Sequence, residues 1–290
     1  FGINIYYIIM LPVKKIYVDS KYKTADSKSD ANFKFQLPQT CYMPDNTKFF
    51  ISDVAIPHTW YTINDFNCKL YLRTIVVDSN NPLDGLRFDH IITLNRGTYN
   101  GTTFKSELQT KIQGATGTLP TMNFDPTTNQ LSLFIGLFQF QFLTDHELQD
   151  PETLTAGNFA WNGDAYDKSN LQSANNIISN TTDYSTAYEG ATHPMHKQLN
   201  LQPIRNVYIH SPNLGNFNTL GPRGESTIIK KVPVNNNYSE MIFSDYNAGE
   251  MDALDCSKQT LRQLEFRLTN VDGIEIPFNG NHVSFSIVFN

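Results

Sequence analysis

The chain has 290 residues, 40% hydrophobic and 12% aromatic, with 28 acidic against 22 basic side chains and a formal net charge of −6. The apolar share supports a sizeable core and excludes disorder throughout. The acidic balance, with no basic stripe interleaved by aromatics, disfavours direct contact with nucleic acid. Cys41, Cys68 and Cys256 stand far apart without a CxxC pair, so they read as reduced, small, mostly buried side chains rather than a disulfide framework or zinc site.

In chain order, "FGINIYYIIMLPVKK" carries a short apolar run with no basic residues before it, which fits neither a signal peptide nor a spanning helix. Met10 is read as the true start. Strand-like stretches follow: "KKIYVDS", a polar loop "KYKTADSKSDAN", then "FKFQL" with Phe33, Phe35 and Leu37 on one face and Pro38 after it. "KFFISDVAI", closed by Pro57, leads to "KLYLRTIVVD" and "LRFDHIITL". "NGTTFKSELQTKIQGATG" is the clearest helix, with Thr102 or Thr103 as cap, Phe104, Leu108 and Ile112 on one face, and Gly114 near its end.

A hairpin pattern resumes in "TMNFDPTTNQLSLFI", turning at Asp125-Pro126 and Asn129, and "FQFQFL" supplies another strand. From about 144 to 200 the chain is rich in Asn, Asp, Ser, Thr and Gly, a long irregular excursion in which "SNLQSANNII" is the better helix candidate. Strands return in "RNVYIHS", "STIIKKVPV", "EMIFSDY", "LRQLEFRLTN" and "NHVSFSIVFN". In the last of these Val283, Phe285, Ile287 and Phe289 alternate with Ser284, Ser286 and Val288. Its expected sheet partner is "NFKFQLP", whose alternation matches. About eight to ten strands, one principal helix and no βαβ alternation argue for an all-β antiparallel sandwich, with a single jelly roll as the leading architecture. The expected division is an extension over 1–12 and one jelly-roll domain over 13–290, with its insertion at about 144–200.

Catalysis needs converging acids, bases, nucleophiles or metal ligands. His193 and His196 in "THPMHK" lack the carboxylate partner of a helical zinc motif. His58 beside Trp60 and Tyr61 reads as strand-end packing with a bonded ring nitrogen. "GPRGEST" lacks the ending of a phosphate loop and reads as a glycine-punctuated turn. Cys256 in "LDCSKQTL" has no histidine nearby in sequence and reads as structural; Lys14-Lys15 and Lys230-Lys231 read as solvated strand ends. The sequons at Asn100, Asn180 and Asn237 read as chance matches in an Asn- and Thr-rich chain. No catalytic, cofactor or metal residue is expected. A jelly-roll oxygenase or isomerase would need a His-x-Asp/Glu pair on a strand, and "DHII" places His90 after its acid. The candidate ligand or host-contact set is Trp161, Asn162, Asp164 and Tyr166 in "AWNGDAY", where the rival reading makes Trp161 an apolar pin for the loop.

"IYVDSKYKTADSKSDANFKFQLPQT", "PDNTKFFISDVAIPHTWYTI", "GPRGESTIIKKVPV" and "LDCSKQTLRQLEFRLTNVDGIEIPFNGNHVSFSIVFN" together resemble the penton, or minor capsid, proteins of Polinton (Maverick) transposable elements and adintovirus-like viruses. "LNRGTYNGTTFKSELQTKI" also looks like the strand-to-helix step of such virion proteins. The resemblance covers most of 13–135 and 205–290, leaving 144–200 unmatched. It implies a jelly-roll capsid subunit that forms homopentamers at five-fold vertices, beside trimers of a double jelly-roll major capsid protein. It also implies residence in the virion after synthesis in the host cytoplasm or nucleus. The alternative is a lectin-like or receptor-binding β-sandwich module, acting through the polar excursion.

Overall fold

Residues 13–64, 68–78, 81–136, 138–142, 193–194, 199, 201–202, 204–214, 219–245 and 253–290 are described by a computed structural model. The strands, in chain order, are β1 (Lys15–Asp19), β2 (Asn32–Tyr42), β3 (Lys48–Pro57), β4 (Lys69–Asp78), β5 (Asn81–Thr93), then α1 (Gly101–Thr116), β6 (Thr121–Asp125), β7 (Gln130–Phe134), β8 (Phe138–Phe142), β9 (His193–Pro194), β10 (Asn206–His210), β11 (Ile228–Pro233), β12 (Met241–Asp245), β13 (Leu254–Asp255), β14 (Thr260–Thr269) and β15 (Ser284–Phe289). They separate into two compact units, one of residues up to Trp60 with Ile204–Asn290, the other Tyr61–Pro203.

In the first unit the period-2 patterns become two antiparallel sheets, ordered β1-β15-β3-β12 and β11-β10-β14-β2, with the short β13 added to β3. Numbered along the chain without β13, the eight long strands read 1-8-3-6 and 5-4-7-2. That interleaving is the order of a jelly roll: early and late strands pair, and the chain wraps around one core. The inner faces supply it: Val18, Phe285 and Ile287 from one sheet meet Phe33, Leu264 and Phe266 from the other. Phe266 stands 5.5 Å from Phe33 and 4.9 Å from Phe285, ring centre to ring centre.

This geometry corrects the expected partner of the 284–289 strand. β15 pairs with β1 and β3, whereas β2, the strand of "NFKFQLP", pairs with β14 and faces β15 across the core. Matching alternation reports a shared core, which strands of opposite sheets also possess. The polar loop after β1 covers part of the open β2 edge: Thr24 N–H donates to Lys34 O (2.9 Å) and Lys34 N–H to Ser27 Oγ (2.9 Å). A covered edge is a poorer template for unwanted strand pairing.

The second unit holds sheets β5-β4-β8 and β6-β7-β9 and its own core, in which Leu70, Leu72, Ile92 and Phe142 join Phe104, Leu108 and Ile112 of α1. The strands "KLYLRTIVVD", "LRFDHIITL" and "TMNFD", counted to the roll on pattern alone, belong here. They lie between the third and fourth strands of the roll and bury their apolar faces on this separate core. The 144–200 excursion lies outside the described residues except for 193–194 and 199.

The helix cap lies two or three residues earlier than its threonines suggest. Asn100 is the N-cap: its side chain accepts from Thr103 N–H at 2.9 Å and Thr103 Oγ1 accepts from Asn100 N–H at 3.0 Å, a reciprocal box. It stops at Gly117, whose φ of 73° is the left-handed conformation that glycine adopts freely, so Gly114 is an interior residue. At the first helical position Gly101 has no alternative. A Cβ there would lie 2.0 Å from the Phe124 ring of β6. Gly101→Ala is expected to destabilise the second unit by about 1–3 kcal/mol through overpacking, despite alanine's better helix propensity. Denaturant unfolding checks this, and Gly101→Ala with Phe124→Leu should recover part of the loss.

Candidate assembly surface

Register builds the outward face of the first sheet. Tyr17 pairs with Ser286 and Ser286 with Asp53; in the next row Asp19 meets Ser284, Ser284 meets Ala55, and Ala55 meets Phe243. Their strand neighbours Val18, Phe285, Val54 and Ile242 are buried, so these rows face outward. Tyr17 is 71% exposed and Phe243 65% exposed, with Met241 also uncovered beside Phe243. An aromatic at each edge of the sheet thus flanks a polar centre.

Asp53 organises that centre. Its carboxylate accepts from Ser52 Oγ (2.6 Å) and Ser286 Oγ (2.7 Å) and pairs with Lys15 Nζ at 3.2 Å. Burial opposes its ionisation, and the two hydroxyls with the Lys15 ammonium outweigh burial, holding the pKa below the ordinary value. The Lys15 ammonium also lies 4.9 Å from the centre of the Tyr17 ring. Beside β1 a cavity of about 410 Å³ is lined by Tyr17, Tyr22, Phe35, Asp53 and Ser286, among others. This side of the roll leaves Tyr17, Phe243 and Met241 uncovered around an ion-paired centre, and aromatics and Met are among the residues that protein interfaces favour.

The residues singled out from sequence have separate fates. Trp161, Asn162, Asp164 and Tyr166 lie outside the described residues, as does His196, while His193 pairs through its backbone with Leu133. His58 is buried, with Nδ1 2.9 Å from Asn236 O and its ring 4.4 Å from that of Trp60, as strand-end packing requires. "GPRGEST" is a turn: Gly221 N–H donates to Glu225 O at 2.7 Å, Gly224 has φ of 86°, and the Arg223 guanidinium donates to Asp272 O. Cys256 is buried, and burial together with the Asp255 carboxylate pushes its thiol up to about 12, so it is no nucleophile at neutral pH. Asn100 of the first sequon is occupied as a helix cap, and Lys15 is paired rather than merely solvated.

Among the described residues no group of three or more His, Cys, Asp and Glu side chains is placed to hold a metal, and no helix is long and apolar enough to cross a membrane. Sequence reasoning missed the Tyr17, Asp53 and Phe243 face, because the three come from different strands and only the register brings them together. The exposed member of "KIYVD" was the available signal.

No protein-family model matches the chain, and no curated protein matches it. Among solved structures, the crystal structure of selenomethionine-labelled mavirus penton protein matches with a TM-score of 0.51 at 9% identity, over 96% of this chain and 99% of that one. At that identity the likeness is one of fold, and it agrees with the mostly-β, single-helix jelly roll found among the described residues.

Proposed function

We propose that the chain is a structural capsid subunit of the penton kind, with no catalytic activity of its own. The observation that carries this reading is the jelly-roll strand order together with a fold likeness to a penton protein that spans nearly the full length of both chains. In its finer form the proposal is a minor capsid protein of a Polinton (Maverick) element or adintovirus-like virus, forming homopentamers at five-fold vertices next to a double jelly-roll major capsid protein in the virion. Within the extension over 1–12, the nine residues before Met10 are dispensable, and the excursion at 144–200, with Trp161, Asn162, Asp164 and Tyr166, serves as an outward contact loop or as a clasp onto the neighbouring capsid protein.

In closed rotational symmetry one flank of a subunit meets the opposite flank of the next. The two-edged aromatic face, Tyr17 at one side and Phe243 at the other, suits such a contact. Tyr17→Glu with Phe243→Glu is expected to shift the assembled protein toward monomer while leaving the melting midpoint unchanged, because both side chains are mostly solvated in the isolated subunit. Analytical ultracentrifugation checks it. An unaltered assembled fraction in the double variant would remove this face from the contact.

A further inference from the structure

The outer face of the second sheet carries a built pocket that the assembly reading does not use. Asn32, Arg267 and His210 are cross-strand partners in one row, on β2, β14 and β10, and their strand neighbours Phe33, Phe266, Leu268 and Ile209 are buried in the core. The row therefore points outward, into a cavity of about 270 Å³ that Pro212, Thr227 and Glu265 help to line.

His210 is a wall of this pocket. It is 2% exposed, with Nδ1 3.2 Å from Thr227 Oγ1 and Nε2 2.9 Å from Thr269 Oγ1. Thr269 Oγ1 gives its own hydrogen to Asn270 O (3.1 Å), so it accepts from His210 Nε2–H, and Nδ1 accepts from the Thr227 hydroxyl. Both ring nitrogens are spent. Burial, and then the Arg267 charge, lower the pKa of the ring and keep it neutral, against a weaker opposing pull from Glu225.

Arg267 is in the opposite condition. The residue is half-buried, and its guanidinium has no hydrogen bond or ion pair among the described residues. Other partly buried cations of the roll are matched: Lys23 by Asp30 at 2.5 Å and Lys34 by Asp26 at 2.8 Å. The carboxylates in the neighbourhood are committed elsewhere. Glu225 accepts from Arg223 N–H (3.0 Å), Glu265 faces Lys34 Nζ at 3.9 Å, and Glu275 accepts from Asn32 Nδ2 at 2.5 Å. A partly desolvated guanidinium with an open fork of donors is a receptor for a planar anion.

We propose that the Arg267 pocket is a carboxylate-binding socket. A singly charged carboxylate satisfies the fork, with Pro212 against its carbon, while the Thr227 hydroxyl stays on His210 and the Asn32 amide on Glu275. A phosphate dianion would be repelled by Glu225 and Glu265, which fits it less well. The carboxylate comes from a free small acid or from an Asp or Glu side chain of a second copy of this chain. The socket stands independently of the capsid reading.

The test follows the His210 ring signal by NMR on histidine-labelled full-length protein, with sodium acetate titrated against sodium chloride at equal ionic strength. A saturable shift with acetate alone is expected, about tenfold weaker in Arg267→Lys, which keeps charge but loses the fork, and absent in Arg267→Gln. A dilution series without acetate separates the sources. A signal that moves with protein concentration, and ceases to move in Arg267→Lys, assigns the carboxylate to a second copy; one that moves only with acetate assigns it to a free acid. Should Arg267→Gln fail to fold, Arg267→Lys decides alone. No saturable shift in the wild type under either series, or an undiminished shift in Arg267→Lys, would overturn the proposal.

Discussion

Removing 284–290 is expected to yield no soluble folded protein. β15 is an inner strand, held between β1 and β3, so its loss also strips β1 of its only sheet partner among the described residues. Phe285, Ile287 and Phe289 are each at least 98% buried. Burying such side chains contributes about 1.5–3 kcal/mol apiece, and their sum rivals the roughly 5–15 kcal/mol that stabilises a whole domain. The milder Phe285→Ala should cost about 3–5 kcal/mol, because the cavity opens against the Phe266 ring at 4.9 Å. Soluble yield and circular dichroism of the truncated chain check the first statement, and denaturant unfolding the second. A truncate that folds would show β15 to be peripheral.

The second large effect lies in the Tyr61–Pro203 unit. Arg73 of β4 and Asp89 of β5 are direct cross-strand partners, joined by two bonds: Nε donates to Oδ1 at 2.7 Å and Nη2 to Oδ2 at 3.1 Å. Their side chains are only 6% and 3% exposed. Asp89→Ala is expected to destabilise this unit by about 3–5 kcal/mol, since it leaves a buried guanidinium without its carboxylate. Replacing both partners, Arg73→Met with Asp89→Leu, should cost much less, because no charge remains to be desolvated. Hydrogen exchange along β4 and β5 reads the effect locally. Equal losses in the single and double variants would mean that packing, not charge, governs the site.

The strands were legible because a sheet with one buried face writes a period of two into the chain, as in Ile16 and Val18 around Tyr17. The helix was legible in Phe104, Leu108 and Ile112, all fully buried. Pairing was not. Alternation tells which side chains turn inward and is silent on the neighbour, so β2 passed for the partner of β15 when it is the strand opposite. The helix cap was displaced for a related reason. Asn100 and Thr103 bond each other, and either the asparagine or a nearby threonine is a credible cap until geometry decides.

The extent of the second unit was hidden too, since its strands have the same composition as those of the roll and only their shared core separates them. The surfaces now of interest were illegible residue by residue. Tyr17, Asp53 and Phe243, and likewise Asn32, Arg267 and His210, acquire meaning from rows across strands that are up to about 240 positions apart in the sequence. Conversely, the residues that looked chemical in the sequence, His58 and Cys256, are spent on packing.

The native mass of the purified chain tests the structural-subunit reading most directly. Sedimentation or mass photometry is expected to give a species near five times the 33.0 kDa chain mass, dispersing to monomer in the Tyr17→Glu, Phe243→Glu variant. A chain that remains strictly monomeric at every concentration, and fails to join a double jelly-roll capsid protein when the two are mixed, would contradict the account.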